Sequence, residues 1–150
     1  MSRAVVRVKV ASPDAMRAFG RALGRAAQAG DRFLLEGPFG AGKTTLVQGL
    51  AEGLDVSGAV SSPSFVIETQ YRGRLALYHI DLYRLDRIEP ALLEELEERL
   101  FGDGVTAVEW AERLPEDLRE GGVLLRFHVD GDIRQVELTT SEERLAAAAA

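Results

Sequence analysis

Eight consecutive residues, Gly37-Pro38-Phe39-Gly40-Ala41-Gly42-Lys43-Thr44, constrain this chain more than any other segment, because they satisfy the pattern G-x-x-x-x-G-K-[ST] at every required position. Each part of that pattern has a physical task. The glycines let the backbone bend so that consecutive N–H groups converge on an anion. Lys43 brings a compact positive charge to the outer phosphates of a nucleotide, and the Thr44 hydroxyl is a hard oxygen ligand for magnesium. The setting agrees. Arg32-Phe33-Leu34-Leu35-Glu36 reads as a short strand, and Leu46, Val47 and Leu50 stand at helical spacing after the loop. Strand, glycine-rich loop and helix form the unit in which a helix N-terminus faces a phosphate. The choice of lysine is informative too, since Lys9 and Lys43 are the only two lysines among the 18 Lys and Arg residues. Where arginine is the default cation, an ammonium at this position argues for a cradle too small for a guanidinium. The expected nucleotide contacts are Pro38, Phe39, Gly40, Ala41, Gly42, Lys43, Thr44 and Thr45.

The elements around the loop predict an α/β chain of the P-loop NTPase type. It is expected to form three layers about a central, mostly parallel sheet with added antiparallel hairpins, in one domain over residues 1–150. Arg3 to Val10 alternates as a strand. Ser12 caps a helix with Pro13 at its first position and Met16, Phe19, Leu23 and Ala26 or Ala27 inward, and Gly30 is read as its end. Phe65 to Tyr71 and Leu75 to Ile80 read as a hairpin turning at Gly73, after a serine-rich loop over residues 57–64. Pro90 opens an acidic helix with Leu92, Leu93, Leu96 and Leu100 inward and Glu94, Glu95, Glu97 and Glu98 on a solvated face. Val105 to Val108 is a short buried strand. Val123 to Val129 and Ile133 to Leu138 form a hairpin about Asp130-Gly131-Asp132. Ala146 to Ala150 is expected to be a frayed tail.

Composition excludes several classes. With no cysteine, disulfides and thiolate metal sites are absent. No segment approaches membrane-spanning length and the amino terminus lacks a signal-peptide pattern, so no membrane association is expected. The absence of cysteine is compatible with a reducing cytoplasm. A net charge of −6 speaks against autonomous binding to DNA or RNA, so any RNA connection should run through partner proteins. There is no asparagine, and neither lysine lies in an Asn/Thr-Lys-x-Asp segment, which disfavours guanine recognition.

Two carboxylates stand where apolar strands end, Asp81 after Leu77 to Ile80 and Glu109 after Val105 to Val108. In open α/β sheets the carboxyl ends of strands face the ligand crevice, so either acid can serve as the second acid of a nucleotide hydrolase. Spacing does not choose between them. His79, beside Asp81, reads first as a packed or hydrogen-bonded core histidine. Trp110 reads as a core residue or as a shield for the nucleotide. A small-molecule kinase, with Arg84, Arg87 and Arg113 clamping a phosphoryl group, is the enzymatic alternative. A nucleotide-gated interaction module is the non-enzymatic one.

Gly37 to Leu46, Ser62-Pro63-Ser64-Phe65, Tyr78-His79-Ile80-Asp81-Leu82-Tyr83-Arg84-Leu85 and Val108-Glu109-Trp110 together resemble the TsaE (formerly YjeE) family in order and spacing. This resemblance covers most of the chain from the first helix onward. It implies a cytoplasmic ATPase of tRNA threonylcarbamoyladenosine modification that uses ATP and Mg2+, acts on the TsaD–TsaB pair to support turnover, and meets tRNA only through that complex. It also implies roles: Lys43 on the phosphates, Thr44 and Glu109 on magnesium, Asp81 in hydrolysis, residues 62–65 as a switch-type loop, and Arg134 near the nucleotide. Three positions depart from the family pattern. Pro38 replaces an acid, Ser64 a threonine and Ile80 an aromatic residue, and none of these removes a phosphate or metal ligand.

Overall fold

In a computed structural model, which describes residues 3–58 and 67–150, seven strands form one sheet in the order β1-β7-β6-β2-β5-β4-β3. The strands are β1 (Ala4–Val10), β2 (Arg32–Glu36), β3 (Glu68–Arg72), β4 (Ala76–Asp81), β5 (Val105–Glu109), β6 (Val123–Asp130) and β7 (Ile133–Thr140). At the centre, β2 runs parallel to β5 and β6, and β4 runs parallel to β5. Antiparallel pairs close both sides, β3 on β4 and β7 between β6 and β1. The chain is thus α/β with a sheet that is parallel at its middle and flanked by hairpins. The helices are α1 (Pro13–Ala26), α2 (Lys43–Gly53), α3 (Pro90–Leu100), α4 (Glu116–Arg119) and α5 (Glu143–Ala149), with a short 3₁₀ turn at Ala111–Arg113.

Strand alternation divides the core into two. Phe33 and Leu35 of β2, Val105 and Ala107 of β5 and Leu77 of β4 face the cluster built with α1, α2 and α5. Leu34, Val108 and Ile80 face the cluster built with α3 and the segment Ala111 to Leu118. The same alternation aims His79 and Asp81 towards the α2 side with Leu77, and Glu109 with Ala107.

The helix that follows the glycine-rich loop is held by backbone against backbone. A Cβ added at Gly20 or Gly24 of α1 would lie 2.1 Å from the Leu46 carbonyl oxygen or 2.3 Å from that of Leu50. Reciprocally, one at Gly49 or Gly53 of α2 would lie 2.0 Å from the Arg17 carbonyl or 2.3 Å from that of Arg21. Four-residue spacing on both helices thus makes a bare stripe that lets α1 lie directly on α2. Gly49→Ala should therefore destabilise the protein even though alanine is the better helix former by about 1 kcal/mol. Overpacking costs about 1–3 kcal/mol, occasionally more, and a 2.0 Å approach to backbone that cannot swing aside stands at the upper end, which outweighs that gain. A urea midpoint equal to that of the wild type would contradict the close approach.

Several boundaries differ from expectation. Helix α1 ends at Ala26, and Gly30 turns at φ 90° two residues before β2 instead of closing the helix. The first part of the strand expected from Phe65, like the loop 59–66, lies outside the described residues; β3 begins at Glu68. The expected frayed tail belongs to helix α5, which buries Leu145 and Ala149. Arg144 fixes that helix: its guanidinium donates to both carboxylate oxygens of the nearly buried Asp31, at 2.8 and 2.6 Å, and to the Ala26 carbonyl at 2.8 Å. The hydrogen bonds it donates to Asp31 raise the Arg144 pKa above its ordinary value. Among the described residues no helix is long and apolar enough to cross a membrane.

Candidate active site

The loop between β2 and α2 takes positive φ at Gly40 (72°) and at Gly42 (104°), the residue that opens α2. Gly42 is doubly required, because a Cβ there would also meet the Met16 side chain of α1 at 2.8 Å. Helix α2 consequently starts at Lys43 with the free N–H groups of its first turn at the loop.

Lys43 is 5% exposed. Its ammonium donates to the Gly37 carbonyl and lies 3.9 Å from the centre of the Trp110 ring. Burial lowers its pKa, while the negative charges of Glu109, Glu112 and Asp81 act in the opposite sense. Thr44 donates to Glu109, whose carboxylate oxygens stand 3.2 and 3.1 Å from the hydroxyl. Glu109 is 4% exposed, and its Oε2 is also 2.5 Å from His79 Nε2. Asp81 pairs in register with Glu109 across β4 and β5, and it accepts the Tyr83 N–H at 3.0 Å.

Phe39 to Thr45, Asp81, Glu109 and Trp110 line one cleft of about 290 Å³. Both strand-end acids therefore reach the loop together with Lys43 and Thr44. Pro38 does not line this cleft; its carbonyl accepts the Ala41 N–H at the base of the loop. Arg134 stands on the other side of the loop. It donates to the Gly40 carbonyl at 3.1 Å and lines a neighbouring recess of about 160 Å³ with Pro13, Met16, Gly42, Thr45 and Asp132. The expected switch-type segment 62–65 lies outside the described residues.

The donors suit magnesium. Thr44, Glu109 and Asp81 offer only oxygen, the preference of a hard cation. Among the described residues no three His, Cys, Asp or Glu side chains form a closed metal cage. Such a partial set fits an ion that completes its shell with phosphate oxygens and water.

Trp110, given two readings by the sequence, and Arg113, given a different role, take definite places here. Trp110 has left-handed backbone, φ 59° and ψ 42°, which is strained for a bulky residue. That turn lays its indole over Lys43 and against Phe39 and Tyr83, with ring centres 5.5 and 5.1 Å away. Arg113, a possible phosphoryl clamp by sequence, instead donates to the carbonyls of Leu82, Tyr83 and Leu85 and fastens the segment after Asp81. Arg87 pairs with Glu89 at 3.2 Å.

The profile of the family described as "Threonylcarbamoyl adenosine biosynthesis protein TsaE" matches residues 10–142. The chain belongs to the TsaE family. It is 38% identical over 143 residues to "tRNA threonylcarbamoyladenosine biosynthesis protein TsaE" of Nostoc, covering 90% of this chain and 86% of the relative. The protein of the same description from Synechocystis is 46% identical over 102 residues, 65% of each chain. Among solved structures, YdiB of Bacillus subtilis superposes with a TM-score of 0.80 at 31% identity, over 99% of this chain and 93% of that one. That structure shares the α/β architecture described above.

Proposed function

We propose that this protein binds and hydrolyses MgATP as an accessory of tRNA threonylcarbamoyladenosine formation, acting on the TsaD–TsaB pair to sustain turnover. The observation that carries the proposal is the convergence of Lys43, Thr44, Glu109 and Asp81 on one cleft at the start of α2. Family membership supplies the pathway.

In this reading the loop N–H groups and the N-terminus of α2 hold the phosphates, and Lys43 leaves the Gly37 carbonyl to meet them. Thr44 keeps its proton on Glu109, so its oxygen lone pairs remain available to a cation. Thr44 and Glu109 hold magnesium, which neutralises charge on the phosphates when bound. Asp81 orients the attacking water. The recess beside the loop, with Met16 and Pro13 in its wall and Arg134 at its rim, takes the nucleoside end. Arg113 is engaged by backbone carbonyls and Arg87 pairs with Glu89, so two of the three arginines expected to clamp a phosphoryl group for a small-molecule kinase are committed elsewhere.

ATP hydrolysis should be slow for the isolated chain and should rise at least tenfold when TsaD and TsaB are added. Multiple rounds of tRNA modification should require that hydrolysis. Modification supported equally by a non-hydrolysable ATP analogue would point instead to a nucleotide-gated interaction module. Activity only with a small-molecule acceptor would favour the kinase.

A further inference from the structure

We propose that His79 is a positioning residue for magnesium binding, holding the Glu109 carboxylate against Thr44. The inference rests on reading the cleft as a magnesium–nucleotide site. His79 is wholly buried in β4, one alternation below Asp81 on the same face, and its Nε2 is 2.5 Å from Glu109 Oε2. Its other ring nitrogen, Nδ1, is buried without a hydrogen-bond partner among the described residues. An unpaired buried lone pair is less costly than an unpaired buried N–H. The proton therefore belongs on Nε2, and His79 donates to Glu109 from below while Thr44 donates from the side.

That arrangement does more than satisfy a core histidine. A glutamate side chain has three rotatable bonds, and a single donor would fix only one end of its carboxylate. Two donors on different elements, β4 and α2, select one orientation of the group. The carboxylate is then presented to a cation without first being ordered, as preorganised sites require. Among the described residues, neither Lys43 nor the backbone of the loop is hydrogen-bonded to His79, whose ring bonds to Glu109. Removal of the imidazole should therefore affect the metal more than the phosphates.

The test compares His79→Gln with His79→Leu. A glutamine amide can place an N–H near the position of Nε2; leucine fills similar space without a donor. ATP binding is measured by calorimetry in EDTA and again across a magnesium titration, with Mn2+ binding followed by electron paramagnetic resonance. His79→Leu should bind ATP in EDTA within about twofold of the wild type yet need at least tenfold more magnesium for half-maximal enhancement. His79→Gln should recover most of that difference. If His79→Leu does not fold, His79→Asn, whose amide falls about one bond short, takes its place against the glutamine variant. Equal magnesium requirements in wild type and variants would overturn the role of His79, as would a glutamine variant no better than leucine. A wild-type chain that binds neither ATP nor MgATP would overturn the nucleotide reading itself, and the inference with it.

Discussion

Lys43→Ala is expected to weaken ATP binding by about a hundredfold or more, because charge-assisted hydrogen bonds to phosphate contribute about 1.5–3 kcal/mol each and the ammonium supplies several donors. The state before binding explains why this residue can act. Lys43 is almost completely buried, and burial lowers its pKa, so its charge is poorly solvated and seeks an anion. Its present partners are the Gly37 carbonyl and the face of Trp110, neither of which carries a formal negative charge. A polyphosphate is a better partner than either. Fluorescence offers a direct measurement, since Trp110 is the only tryptophan in the chain and its ring lies 3.9 Å from the ammonium. ATP should change the emission of the wild type and leave that of Lys43→Ala unchanged at concentrations saturating for the wild type. Lys43→Met keeps the aliphatic stem against the indole and should lose affinity to a similar degree, which separates charge from packing. Undiminished affinity in both variants would contradict the phosphate assignment.

The loop is legible because its chemistry is local: eight neighbouring residues make the bend, the charge and the helix start. The strand-end acids are legible for a related reason. Period-two alternation and the rule that ligands gather at carboxyl strand ends both follow from short segments. Alternation could not say that β4 and β5 are neighbours, so the pairing of Asp81 with Glu109 across them emerges only from the sheet order.

Long-range contacts account for what was missed. The alanines after Leu145 read as a loose end because alanine alone marks neither a core nor a surface. Their helix is defined by Arg144 reaching Asp31, 113 positions earlier. The glycines of α1 and α2 left a visible trace, Gly20 with Gly24 and Gly49 with Gly53. Within one helix such spacing only lowers propensity, and its meaning appears when the partner helix lies on the bare stripe. Trp110 is a third case. Nothing local favours a left-handed tryptophan, and the turn that leads from Glu109 into Ala111–Arg113 demands one. The strain coincides with the place where the indole covers Lys43.

Glu109→Gln separates the two acids that spacing could not tell apart. Glu109 is the acid in contact with Thr44, whereas Asp81 accepts the Tyr83 N–H. The amide substitution preserves shape. Its oxygen can accept from His79 and its NH2 can donate to the Thr44 hydroxyl, so the buried pocket stays hydrogen-bonded and the fold should survive. Two things are lost, a negative charge beside Lys43 and a hard anionic oxygen for the metal. Removing one partner of a buried charge pair is destabilising, but the charges of Glu112 and Asp81 still act on Lys43 in the same sense, so the fold should survive with reduced stability. The loss of the carboxylate should be felt chiefly when magnesium is added. Glu109→Gln is therefore expected to bind ATP in EDTA about as well as the wild type, to lose most of the magnesium-dependent gain, and to hydrolyse about a hundredfold more slowly or worse, the range seen when one preorganised electrostatic contact is removed. Asp81→Asn should behave differently, with magnesium dependence retained and kcat reduced. Binding titrations with and without magnesium, together with single-turnover hydrolysis in the presence of TsaD and TsaB, distinguish the two patterns. If Asp81→Asn were the variant that lost the magnesium response while Glu109→Gln kept it, the roles would be exchanged, and the hydrogen bond from Thr44 to Glu109 would then hold α2 against β5 without placing a metal ligand.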